Sequence, residues 1–296
     1  MAYTDYGIRL TQMIYAFHMP VFVFLSGYFT SLKPDFKKHL HWVLASLAIF
    51  VLAQWAQCLY DIALPFFAPH GVVKIPWRKL FLYMPGFSLW YLLSLIYWRI
   101  GTWIFHNRIS DKVLLGLSFL AAITSGLFPA SNHLSFQRTF VFLPFFVLGY
   151  LFKKHQLDLR MQKIPLWMCY AILPIIGLST RWLPIFAPSF RYTNLPHDLI
   201  IRAIQTILAL ILSFGLIRVF CSWPIEKLSR WGKHTLWIYI GHAIPILFQN
   251  LVVAKFKIPI NIASAVVVSI GYVVCFTLAA EIYYRNFQSK KEIEHP

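Results

Sequence analysis

The chain of 296 residues carries 10 Asp and Glu, and none of them falls in the middle of one of its long apolar runs. Asp5, Asp35, Asp61, Asp111, Asp158, Asp198, Glu226, Glu281, Glu292 and Glu294 all sit in connections or near the ends of such runs. Soluble domains are about 25% charged; here charged residues make up 12% and hydrophobic ones 59%. Polar surface is too scarce to cover a core of this size, so lipid is the solvent for much of it. Collagenous, disordered and disulfide-scaffold chains are excluded by the same composition. The absence of a mid-run carboxylate leaves an acidic proton relay or carboxylate cation site without a candidate. The expected fold class is all-α: a polytopic helical membrane protein, with residues 1–296 forming a single integral membrane domain.

A window of about twenty residues predicts about nine spanning helices. They fall at about 11–32, 39–64, 84–105, 112–130, 138–153, 164–182, 198–220, 234–253 and 259–284. Of the 27 Lys and Arg, 17 lie at one set of span ends and 10 at the other. The positive-inside rule makes the richer side cytoplasmic. The expected location is therefore the cell membrane, multi-pass, with the C-terminus cytoplasmic and the N-terminus outside. A net charge of +17 in so apolar a chain points to orientation and a lipid bilayer partner, with no nucleic acid. Cys58, Cys169, Cys221 and Cys275 lack any C-x-x-C spacing, so neither a metal site nor a redox pair is expected.

Ionisable residues inside apolar stretches are functional candidates by default. His18 lies in FHMPVFVFLSGYF, where a neutral imidazole could serve as general base. Pro20, two residues on, frees backbone carbonyls, Ser26 and Gly27 offer a small packing surface, and Tyr28 brings a phenol. His242 lies in LSRWGKHTLWIYIGHAIPI, three residues after Tyr239 and so on the same helical face. The bland alternative for both histidines is a packed side chain satisfied by a neighbouring helix. Arg138 enters RTFVFLPFFVLGY at an outer helix end, where it holds a ligand or snorkels to headgroups. Trp90 and Trp77 offer ring surfaces for a sugar, although interfacial belts account for most aromatics. The segments PVFVFLSGYF (20–29) and PFFVLGYLF (144–152) both begin with Pro, carry Gly-Tyr and precede lysines; both run inward, so they would be parallel.

Four stretches, FHMPVFVFLSGYF (17–29), LWYLLSLIYWRI (89–100), RTFVFLPFFVLGYLFKK (138–154) and LSRWGKHTLWIYIGHAIPI (228–246), together resemble the membrane-bound acyltransferase-3 family, in particular its fucose 4-O-acetylase-like branch. Their order and spacing match across nearly the whole chain. The resemblance implies an acyltransferase that moves an acyl group, usually acetyl, from acetyl-CoA or another acyl-CoA onto a hydroxyl of a cell-envelope or exopolysaccharide carbohydrate. Acyl-CoA is then a co-substrate and no cofactor is bound. Of the residues present here, His18 first and His242 second are the catalytic candidates, with Arg138, Trp90, Tyr239, Ser26 and Tyr28 as candidate substrate contacts. Family members open with a helix resembling D-x-x-K/R-G-x-x-I-x-x-V-x-x-G-H. This chain begins at what would be the second helix, so an N-terminally short member is expected. The alternatives are a polysaccharide or lipid-linked sugar exporter or flippase, and an inactive short relative.

Overall fold

The computed structural model describes residues 5–32, 36–67, 77, 81–86, 89–128, 133–179 and 191–223, together with 239, 267, 270–275, 277–278 and 281–282. Among these the regular structure is helical throughout, with no strand. The helices are α1 (Asp5–Tyr28), α2 (Phe36–Phe67), α3 (Trp90–Phe105), α4 (Asp111–Thr124), α5 (Phe136–Lys154), α6 (Asp158–Met161), α7 (Leu166–Ser179) and α8 (Leu195–Cys221). Three segments are long and apolar enough to cross a membrane: Phe36–Ile62, His133–Lys154 and Leu195–Cys221. Ala16–Tyr28 is a shorter apolar helix. The expected spans at 234–253 and 259–284 fall largely outside the described residues.

Two compact units make up the chain. The first contains Met1–Leu52, Phe81–Pro85 and Trp90–Pro224; the second contains Ala53–Leu80, Gly86–Leu89 and Ile225–Pro296. In the first unit α1 packs most extensively on α5, α4 on α5, and α8 on α1 and α7. The α1–α5 contact is a backbone approach allowed by one glycine on each helix. A Cβ on Gly27 would stand 2.0 Å from the Phe146 carbonyl oxygen, and one on Gly149 would stand 2.0 Å from that of Phe24. Without a hydrophobic drive between helices in lipid, such small-residue contacts supply the packing. Phe24 then wedges edge-on against Phe152 and Phe214, both 5.3 Å away between centroids, which ties α8 to the same pair.

The chain direction alternates within this unit. Asp111 at the start of α4 bonds Lys154 and His155 at the end of α5, and Arg99 of α3 reaches the Ser31 carbonyl just beyond α1. Arg218 near the end of α8 donates to the carbonyls of Gln162 (3.0 Å) and Ile164 (3.2 Å). The final turns of α1, α3, α5 and α8 thus share one end, together with much of the Lys and Arg. α1 and α5 run the same way, as the paired segments in the sequence suggested.

Several boundaries differ from the expected ones. α3 begins at Trp90, not 84, because residues 81–86 form turns, with Leu82 at φ 62. In the second unit Gly86 N–H donates to the buried Gln54 side chain of α2 at 2.8 Å, giving that turn a fixed anchor. α4 stops at Thr124 and tightens into a 3-10 turn at Ser125–Leu127. Its start follows capping rules: Ser110 accepts from Val113 N–H, and Asp111 complements the helix dipole. At the head of α8, Asp198 reaches back to accept from the N–H groups of Thr193 (2.8 Å) and Asn194 (3.0 Å).

Candidate active site

The first unit holds most of the expected site residues. Trp90, Ser94 and Trp98 recur every four residues on α3 and are all buried, as one face of a helix requires. Opposite them α5 presents Thr139, Phe142 and Phe146. Ser94 and Thr139 share a hydroxyl hydrogen bond of 2.8 Å, and Ser94 also donates to Ser135 at 3.3 Å. Trp98 Nε1–H donates to the Thr139 carbonyl at 2.7 Å. Trp90 stacks on Phe142, with centroids 5.4 Å apart, and carries the Arg138 guanidinium 5.3 Å from its ring centre. One side of the Trp90 ring is thus taken by Phe142, and its electrostatic role is to seat a cation.

α1 joins this face through Ser26. Its hydroxyl donates to the Phe22 carbonyl at 2.7 Å, so in its hydrogen bond with Tyr91 the tyrosine is the donor. Leu134 and Ser135, immediately before α5, take left-handed conformations, φ 47 and φ 61. Such angles cost non-glycine residues energy and persist only where the surroundings enforce them. Here Leu134 N–H donates to the Tyr83 carbonyl at 2.9 Å, and the Tyr83 ring stacks on His133 at 4.3 Å.

A second polar set lies at the same end of this unit. The buried face of α8 carries Arg202, Gln205, Thr206, Ala209 and Ser213 at helical spacing. Arg202 is fully enclosed and hydrogen-bonds the Tyr192 hydroxyl, which in turn donates to the Ile123 carbonyl. Tyr192 N–H donates to the Gly126 carbonyl at 2.9 Å. The Tyr192 ring occupies the space beside Gly126, where an added Cβ would be 2.2 Å from it. Buried Gln137 of α5 donates to the Ser125 carbonyl at 3.3 Å. Arg202 is not among the site residues expected from the sequence. The signal for its burial was present in IIRAIQTILA, where Arg, Gln and Thr follow each other at helical spacing.

The structure brings Trp90 and Arg138 together and links Ser26 to their neighbour Tyr91. It does not bring Tyr28 there: that ring lies at the opposite, basic end, with Lys153 Nζ 5.1 Å from its centre. His18 is on an exposed side of α1, two residues before buried Pro20. Tyr239 is helical and partly buried in the second unit, which also contains exposed Trp77. His242 lies outside the described residues. No cluster of three or more metal-ligating side chains occurs among the described residues.

The acyltransferase-3 family model, described as an acyltransferase domain, matches residues 1–284. The chain belongs to the acyltransferase-3 family. No curated protein and no solved structure matches it. As a membrane acyltransferase it places hydroxyls, amides and guanidinium groups inside an apolar helical bundle, where polar groups are costly and usually functional.

Proposed function

We propose that this acyltransferase moves an acyl group, acetyl foremost, from a cytoplasmic acyl-CoA to a hydroxyl of a cell-envelope or exopolysaccharide sugar. The observation that carries the reading is the enclosed Arg202, joined to Tyr192 and aligned with Gln205 on a helix long enough to span a membrane. Acyl transfer develops negative charge on the thioester carbonyl oxygen, and a fixed cation in a water-poor site stabilises it strongly. In the proposed step a histidine, His18 or His242, takes the proton of the acceptor hydroxyl. The hydroxyl oxygen bonds to the thioester carbon, the carbon–sulfur bond breaks, and the CoA thiolate leaves to be protonated. Arg138, held by Trp90, is assigned to the acceptor together with Ser26; Tyr28, at the opposite, basic end, is assigned to the donor, and Tyr239 is retained as a substrate contact.

Labelled acetyl-CoA, a membrane-reconstituted chain and an envelope polysaccharide acceptor test this directly. Replacing the histidine that acts as base should lower transfer by roughly 10²–10⁴-fold. If His18→Ala and His242→Ala both keep full transfer, the base is elsewhere. Sugar efflux from vesicles lacking any acyl-CoA, with no acyl product formed, would defeat the transferase reading itself.

A further inference from the structure

The basic end of the first unit holds a separate polar set. The last turns of α3 carry Arg99, Thr102 and Trp103, with His106 in the turn just beyond, and the first turns of α2 carry His39 and Trp42. His39 is 6% exposed, and its ring stacks on Trp103 with centroids 5.0 Å apart and planes at 21°. The Arg99 guanidinium lies 3.8 Å from the centre of the Trp42 ring. Thr102 is 2% exposed, and Arg99 and His106 both act electrostatically on His39.

Three polar atoms in this set are shut away from solvent: His39 Nε2, Arg99 Nε and Thr102 Oγ1. None has a hydrogen-bond partner among the described residues. Buried polar groups are almost always paired, and three unpaired ones in a single helix contact call for a ligand that supplies acceptors. Arg99 Nε–H and the Thr102 hydroxyl are donors, and His39 Nε2 is one in the matching tautomer or as imidazolium. Trp42 and Trp103 hold the Arg99 and His39 side chains in place, so those faces serve orientation instead of stacking on an aromatic ligand.

We propose that Arg99, His39 and Thr102 form a seat for a phosphate group. A phosphate offers several acceptor oxygens in tetrahedral array, and guanidinium matches it better than any other side chain. Two sources carry that group to this end. One is an anionic phospholipid headgroup, whose chains would run along the exposed Phe36, Leu40, Leu44 and Leu47 of α2. The other is the phosphate-bearing part of the acyl donor, which alone rests on the function proposed above. Because the readout is binding and not turnover, failure of the seat and failure of acyl transfer remain distinguishable.

The experiment uses the full chain in nanodiscs of phosphatidylcholine, with and without phosphatidylglycerol, and with coenzyme A added to the neutral discs. The thermal midpoint and equilibrium binding are read for each. At least one ligand should raise the midpoint and bind about tenfold or more weakly to Arg99→Gln and Thr102→Val. Lys112→Gln, an exposed cation at the same end, should bind as wild type does. A response to phosphatidylglycerol alone assigns the seat to lipid; a response to coenzyme A alone assigns it to the donor. Thr102→Val keeps the side-chain shape and covers the case in which Arg99→Gln does not fold. No response to either probe, or equal responses from the two variants and wild type, would overturn the proposal.

Discussion

Glycine positions make the most local claims. Gly27 and Gly149 each face a backbone carbonyl of the partner helix at 2.0 Å from a would-be Cβ, and backbone does not yield as a side chain tip does. Gly27→Ala and Gly149→Ala should each destabilise the protein by roughly 1–3 kcal/mol or more. Gly101 and Gly116 meet nothing within 4 Å, so alanine there should be neutral or gain about 0.5–1 kcal/mol from better helix propensity. Thermal unfolding of the four variants in one detergent checks the contrast; equal losses at all four would refute the close-approach account. The role of Gly27 as a packing surface was legible in SGY, and Gly149 was marked by a similar LGY. That each sits against the other's helix was not legible, because a sequence shows which residues are small but not which backbone approaches them.

At the scale of elements, the α4–α5 ends are joined through Asp111, which accepts from Lys154 at 2.8 and 2.9 Å and pairs with His155 at 2.8 Å. Burial works to raise the Asp111 carboxyl, but hydrogen bonds from Lys154 and His155, and their charge, outweigh it and hold the group below its ordinary value of 3.8. A depressed carboxyl stabilises the folded state fully above that value and loses the contribution as pH falls through its lower folded value. The gap in thermal midpoint between wild type and Asp111→Asn should therefore be constant near neutrality and shrink only below about pH 4. The pair is partly exposed, so the gap corresponds to at most about 1 kcal/mol and narrows in salt. A gap unchanged at low pH would show that the carboxylate is not what joins the two helices. Helix existence from α1 to α5 was readable from apolar length. The start of α3 was not, since the Gln54 side chain that anchors Gly86 comes from a helix distant in sequence.

For the whole molecule, the shared end of the first unit gathers Arg99, Lys153, Lys154 and Arg218, and the positive-inside rule predicts a cytoplasmic location for that end. Exposed Cys221 closes α8 at this end. In a Cys275→Ser background a membrane-impermeant maleimide should label Cys221 in inverted vesicles and spare it in intact cells; the reverse pattern would turn the orientation over. On the catalytic side, Arg202→Gln should cut acyl transfer by about 10²-fold or more while leaving expression and helical content intact. Full activity in that variant would reduce Arg202 to a packing element. Composition indicated lipid, because 12% charge cannot cover a soluble surface, and the apolar runs of about twenty residues indicated helices. Four linear stretches were enough to indicate the family. Only tertiary structure decided that Trp90 seats Arg138 and that Tyr28 lies apart from them. It alone also showed Arg202 to be enclosed: hydropathy is read one segment at a time, whereas enclosure is set by which helices lie across from each other.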